Sequence, residues 1–69
     1  MSTLPERLLA LRKERKLRQE DLVEPFGLTD RTYRRYETGE REPVASTLCK
    51  IADFYGVSLD YLVGRSEER

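Results

Sequence analysis

The chain has 69 residues, with 13 basic and 13 acidic side chains and no histidine, so its formal net charge is zero. That length holds one hydrophobic core. No apolar run nears the roughly 18–20 residues of a membrane span, and one cysteine without histidine excludes an internal disulfide, a zinc site and a histidine-based triad. The start, Met-Ser-Thr-Leu-Pro-Glu-Arg, carries no apolar signal-peptide stretch, so an intracellular, cytoplasmic protein is expected, without a membrane, metal or cofactor. Leu, Ile, Val and Phe supply 17 of the 69 residues, above the roughly 20% of disordered chains. A folded domain follows, small enough that self-association would help it.

Five helices are predicted in chain order. The first opens at Thr3-Leu4-Pro5-Glu6, a capping-box spacing with Pro in the first turn. Leu4, Leu8 and Leu11 recur at helical spacing, and Arg12 to Lys16 forms a basic end suited to the helix dipole. The second runs from Gln19 to Phe26, with Leu22, Val23 and Phe26 on one face and Gly27 as its stop. Thr29 caps a third over Asp30 to Glu37, ended by Gly39. The fourth spans Val44 to Tyr55, stopped by Gly56, and Ser58 caps a short fifth through Leu62 or Val63. Residues 65–69 read as a frayed tail. Nothing alternates with period two, so no strand is predicted. The fold class is all-α, a single domain over 1–69 with its core at about 4–64. The short turn Gly27-Leu28-Thr29 between two amphipathic helices is the local sign of a helix-turn-helix.

The third helix, Asp30-Arg31-Thr32-Tyr33-Arg34-Arg35-Tyr36-Glu37, is chemically unusual. Arg31 and Arg35 share a face, and arginine is the side chain best suited to forked bonding with guanine in the major groove and to gripping phosphate. The plainer reading is a solvated face laced with acid–base pairs. Charge is polarised along the chain: residues 12–18 hold five cations and one anion, residues 19–28 hold three anions, and residues 53–69 hold four anions and two cations. Local charge matters more than the total within a Debye length of about 8–10 Å.

The segments Leu11-Arg12, Leu17-Arg18-Gln19-Glu20-Asp21-Leu22, Gly27-Leu28-Thr29, Tyr36-Glu37-Thr38-Gly39, Arg41-Glu42-Pro43, Leu48-Cys49-Lys50-Ile51-Ala52 and Gly56-Val57-Ser58-Leu59-Asp60-Tyr61-Leu62 stand in a telling order. As a set, spanning about Leu4 to Gly64, they resemble the phage repressor/Cro-like helix-turn-helix DNA-binding domains, the xenobiotic-response-element-like family. The resemblance implies a compact lambda repressor-like five-helix fold that binds double-stranded operator DNA as a homodimer. It puts Arg31, Arg35, Arg34 and Asp30 at positions facing base edges or adjacent phosphates, and Gln19, Thr29 and the loop from Thr38 to Arg41 along the backbone, where Arg18 and Thr32 are further candidates of this sequence's own. It matches Arg12 and Glu37 to an internal salt bridge.

A helix N-terminus offers free N–H groups to phosphate, and the early residues of the second helix of such a motif enter the groove. Asp30 either accepts from cytosine N4 or caps the helix and orients Arg34; the second role is favoured, since a carboxylate is repelled by phosphates. Four residues depart from the family pattern. Pro25 stands in the last turn of the second helix and is expected to shorten or kink it. Arg18 occupies a usual Ser or Thr cap, so that cap is expected to be lost. Val23 replaces a small residue, and Tyr33 replaces a buried aliphatic, either as core or with its hydroxyl on a phosphate.

Leu8, Leu11, Leu17, Leu22, Phe26, Leu48, Ile51, Ala52, Val57, Leu59 and Leu62 are expected core. Cys49 reads as a small buried or half-buried hydrophobe, with redox sensing as the alternative. Val44, Phe54, Leu59, Tyr61 and Val63 are candidate dimer contacts. The functional expectation is a non-enzymatic, sequence-specific transcriptional regulator, a repressor on a pseudo-palindrome. The alternative is an antitoxin-like protein-interaction module on the same frame. No small-molecule ligand is evident.

Overall fold

Helices α1 (Leu4–Glu14), α2 (Glu20–Phe26), α3 (Asp30–Thr38), α4 (Ala45–Tyr55) and α5 (Leu59–Leu62) follow one another in the computed structural model, which describes residues 3–69. The first two positions of the expected domain and start lie outside the described residues. No strand occurs among the described residues, and none of their helices is long and apolar enough to cross a membrane.

Local chemistry sets the helix ends. The Glu6 carboxylate accepts from the Thr3 N–H at 3.2 Å and the Thr3 hydroxyl at 2.9 Å, which anchors the start of α1. Its other end closes on Lys16 in the left-handed conformation, φ 58°, while the Leu17 N–H reaches the Arg12 carbonyl at 3.0 Å. Thr29 Oγ1 accepts from the Thr32 N–H at 3.2 Å, and Ser58 Oγ from the Tyr61 N–H at 3.0 Å, so α3 and α5 start at hydroxyl caps.

Of the two faults expected in α2, shortening at Pro25 does not occur and the loss of a side-chain cap does. Pro25 lies inside the helix, which continues through Phe26 and closes with Gly27 at φ 64° and a Leu28 N–H bond to the Val23 carbonyl at 2.8 Å. Pro25 and Asp21 are both exposed, so the carbonyl deprived of its N–H partner stands at the wet face, where the loss is cheap. The cap expected to vanish with Arg18 is missing: no side-chain cap bond starts α2, and the Asp21 carboxylate instead accepts from the Arg18 N–H at 2.8 Å.

The helices close around Leu8, Leu11, Leu22, Phe26, Tyr33, Tyr36, Ile51, Ala52, Tyr55, Tyr61 and Leu62. Helix α1 packs on α3 and α5, and α2 packs on α3 and α4. Phe26 sits among the aromatics, edge-on to Phe54 at 5.2 Å, a geometry that ring quadrupoles favour. Leu17, Leu48 and Val57 pack against this core only partly buried.

Several expectations are corrected. Leu59, expected in the core, is 44% exposed: the last helix has four residues and one inward face, occupied by Tyr61 and Leu62. Cys49 is exposed rather than buried, because Leu48, Ile51 and Ala52 take the inner side of α4. Tyr61, a candidate dimer contact, is 8% exposed, with the Arg7 guanidinium 3.8 Å from its ring centroid and that of Arg69 5.2 Å away. Phe54 is half-buried against Phe26 and Tyr55. Nor is the tail frayed. Arg69 makes two 2.6 Å hydrogen bonds to Glu14, Glu67 stands 3.1 Å from Arg7, and the Asp60 carbonyl accepts the Arg65 N–H at 2.8 Å.

The left-handed Lys16 gives a direct test of this packing. Lys16→Gly relieves the steric conflict between Cβ and carbonyl and is expected to stabilise the domain by about 0.5–1 kcal/mol. Thermal unfolding followed by circular dichroism should show the midpoint rising by about 2–8 °C.

Candidate nucleic-acid interface

Helical register decides what α3 displays. Tyr33, Tyr36 and Glu37 turn toward the core, with Tyr33 0% and Tyr36 5% exposed. At the complementary spacing, Arg31, Arg34, Arg35 and Thr38 form an outward stripe. Arg31 and Arg34 are exposed, and among the described residues no acid lies within 4 Å of either guanidinium. Arg35 is half-exposed, with its Nε 3.9 Å from Glu40 Oε2.

Asp30 corrects the favoured sequence reading. It is exposed in the first turn of α3, but Thr29 performs the capping and no Asp30–Arg34 ion pair forms. Its carboxylate is therefore left facing solvent beside the arginines. Thr32 sits in the cap, its hydroxyl accepting from Thr29 Oγ1 at 3.0 Å. Thr38 turns its hydroxyl to the Arg35 carbonyl at 3.1 Å and to Glu40 at 3.2 Å. Arg41 is exposed, bonded only through its backbone N–H to the Arg35 carbonyl.

The N-terminal ends of α2 and α3 meet across a shallow cleft of about 430 Å³, lined by Arg12, Arg18, Gln19, Glu20, Asp30 and Arg34. Arg18 is 77% exposed and paired at 2.9 Å with Glu20, an exposed pair that screening weakens to little. Three guanidinium groups thus line the cleft together with the carboxylates of Glu20 and Asp30.

Behind the cleft stands the Glu37 carboxylate, whose side chain is only 8% exposed. Oε2 accepts from Arg12 Nε at 2.7 Å and from the Tyr33 hydroxyl at 2.6 Å. Oε1 accepts from Arg12 at 3.1 Å and from Gln19 Nε2 at 3.1 Å. Arg12 also donates to the Leu17 carbonyl at 3.0 Å, which ties in the loop before α2. Burial alone would raise the Glu37 pKa, but the hydrogen bonds from Arg12, Tyr33 and Gln19 outweigh it and hold the carboxyl below its ordinary value.

Gln19, expected to point at a phosphate, has its amide nitrogen engaged by Glu37, which leaves its oxygen and second N–H as the groups facing the cleft. Tyr33 resolves the open alternative as a core residue whose hydroxyl serves Glu37, four positions along the same helix. That i, i+4 spacing of Tyr and Glu was visible in the sequence as a pairing signal. Nothing comparable marked Tyr55, whose buried hydroxyl has no partner among the described residues and whose pKa burial pushes up to about 12.

A sequence model of the helix-turn-helix family matches residues 8–62. An uncharacterised HTH-type transcriptional regulator of Bacillus subtilis, YqaE, is 43% identical over 65 residues, covering 93% of this chain and 56% of that protein. The cryptic phage CTXphi transcriptional repressor RstR of Vibrio cholerae is 44% identical over 57 residues, covering 83% and 51%. The chain thus spans about half the length of these curated relatives. Among solved structures, a transcriptional regulator from Listeria innocua superposes with a TM-score of 0.89 at 31% identity, covering 97% of this chain and 63% of that one. The P22 c2 repressor, solved in complex with a synthetic operator, superposes with a TM-score of 0.87 at 29% identity, covering 96% and 100%.

Tyr33 and Tyr55 should respond oppositely to loss of their hydroxyls. Tyr33→Phe removes a donor from a buried carboxylate and is expected to cost about 1–3 kcal/mol, whereas Tyr55→Phe removes an unpartnered polar atom and should be neutral or stabilising by up to about 1 kcal/mol. Urea unfolding of both variants checks the contrast. Because the folded Glu37 pKa lies below the ordinary 4.5, its stabilisation is present above that value and is lost as pH falls through the folded pKa. Glu37→Gln should therefore be less stable at neutral pH and show a shallower acid limb in a pH series of unfolding midpoints.

Proposed function

The chain belongs to the helix-turn-helix family, and from that premise we propose that it is a DNA-binding transcriptional regulator, a repressor that seats α3 in the major groove of an operator. The observation that carries this reading is the outward stripe of Arg31, Arg34 and Arg35 on the second helix of the motif, beside a cleft lined by Arg12, Arg18 and Gln19. Arg31 and Arg35 are the base-reading side chains in this proposal, suited to guanine O6 and N7. Arg34, Arg18, Gln19, Thr29, Thr32, Thr38 and Arg41 supply contacts to the phosphates, and Asp30 discriminates against bases that offer no donor to it. The activity is binding rather than catalysis, exercised in the cytoplasm.

We further propose that the protein acts as a homodimer, since a two-fold pair reads half-sites about one helical turn apart. Among the candidate contacts, Val44, 63% exposed, and Leu59, 44% exposed, stand free to meet a second copy, whereas Val63 is half-buried. Tyr61 and Phe54 are spent within the protomer.

Selection of bound sequences from a random DNA pool should recover a pseudo-palindrome. At fixed salt, Arg31→Ala and Arg35→Ala should each lose about 1–3 kcal/mol on that site and relax specificity at separate positions. Affinity should fall with log salt on a slope near −0.9 per phosphate neutralised. A pool that yields no motif, or arginine variants that bind every sequence as the parent does, would sink the assignment and favour a protein-interaction role. Sedimentation of Val44→Lys tests the dimer, which should dissociate more readily.

A further inference from the structure

A second concavity lies toward the C-terminal end of α3, away from the arginine stripe. It holds about 480 Å³ and is lined by Leu4 and Pro5 of α1, Tyr36 of α3, Pro43, Leu48 of α4, and Val63 after α5. Small-molecule sites commonly measure roughly 300–1,000 Å³, with apolar walls and a few placed polar groups. Three polar side chains fill that role here. Tyr36 is 95% buried by its 5% exposure, yet its hydroxyl makes no side-chain hydrogen bond among the described residues and is not sealed into the core. Arg41 and Arg65 are exposed where the groove opens, and no acid lies within 4 Å of either guanidinium among the described residues. Glu42 is the acid on the lining, so the charge balance of the opening stays positive.

We propose that this groove binds a small organic acid, an aromatic or branched apolar body bearing one carboxylate. The apolar body displaces water from Leu4, Pro5, Leu48 and Val63. The carboxylate takes forked hydrogen bonds from Arg41 and Arg65, which suit planar anions with two oxygens, and Tyr36 donates to the same ligand. A doubly charged phosphate ester fits less well, because most of the lining has nothing to offer its remaining oxygens. Arg41 is also a candidate phosphate contact, so a ligand held there withdraws that side chain from DNA.

Naphthylacetate serves as the probe and naphthylethanol as its uncharged counterpart, each titrated into the isotopically labelled protein and followed through backbone amide shifts. Saturable shifts are expected at Leu4, Tyr36, Leu48 and Val63, with naphthylethanol bound about tenfold more weakly. The double variant Arg41→Gln/Arg65→Gln, altered at exposed positions, should bind naphthylacetate no better than naphthylethanol. Val63→Phe, which fills the groove, should abolish both. Shifts that never saturate, shifts centred elsewhere on the surface, or undiminished binding by the arginine double variant would overturn the proposal. No DNA enters this experiment, so its outcome is independent of the operator selection.

Discussion

One buried carboxylate holds the arrangement together. Glu37 receives hydrogen bonds from α1 through Arg12, from the head of α2 through Gln19 and from its own helix through Tyr33. A carboxylate so little exposed is costly to bury unless its lone pairs are filled, and here four donors fill them. Moving α2 relative to α3 breaks the Gln19 bond and leaves the carboxylate to Arg12 and Tyr33, so the junction resists that motion by the worth of one charge-assisted hydrogen bond. The angle between the two helices of the motif, and with it the presentation of the arginine stripe, depends on this point. The apolar core behind it, in which Phe26 packs against Tyr33, Phe54 and Tyr55, is held by forces that are non-directional.

The zero net charge first argued against a nucleic-acid partner. The fold shows how a neutral total coexists with a cationic face. Ion pairs such as Glu14 with Arg69 and Glu37 with Arg12 remove an anion and a cation together, so it is the placement of the remaining charges that decides what each face shows. Arg31 and Arg34 are left without an acid partner among the described residues on one side of one helix. Steering over long distances is weak in such a molecule, and discrimination rests on contacts at short range.

Helix number, order and most boundaries were legible because caps and glycine stops are local signals: Thr3, Thr29 and Ser58 act where the sequence puts them. The core was legible where leucines repeat, as at Leu8, Leu11 and Leu22. Misreadings arose where tertiary context decides. Leu59 looks like core by spacing, but a four-residue helix has too little inward face. Pro25 looks like a breaker, but its deprived carbonyl belongs to an exposed residue. Asp30 looks like a cap, but the hydroxyl one residue earlier is better placed. The roles of Tyr61 and the tail were hidden because Arg7, Glu14, Glu67 and Arg69 are far apart in sequence, and nothing local announces their meeting. Among the candidate site residues, the sequence grouped the arginines of α3 correctly on one face, yet could not show that Gln19 and Tyr33 share an acceptor.

The clasp between Arg69 and Glu14 joins residues 55 positions apart, whereas the Arg12–Glu37 bond joins residues 25 apart. Closing the larger loop costs only about 0.7 kcal/mol more in chain entropy, but the clasp is exposed and carries little of the apolar core. It therefore belongs to the last contacts made during folding and the first released during breathing. Amide exchange in residues 65–69 should run ahead of global unfolding, and more so as ionic strength rises, while the α2–α3 hinge around Glu37 stays protected. Two kinds of long-range contact thus hold the fold, a buried junction of three helices at Glu37 and an exposed clasp between Glu14 and Arg69.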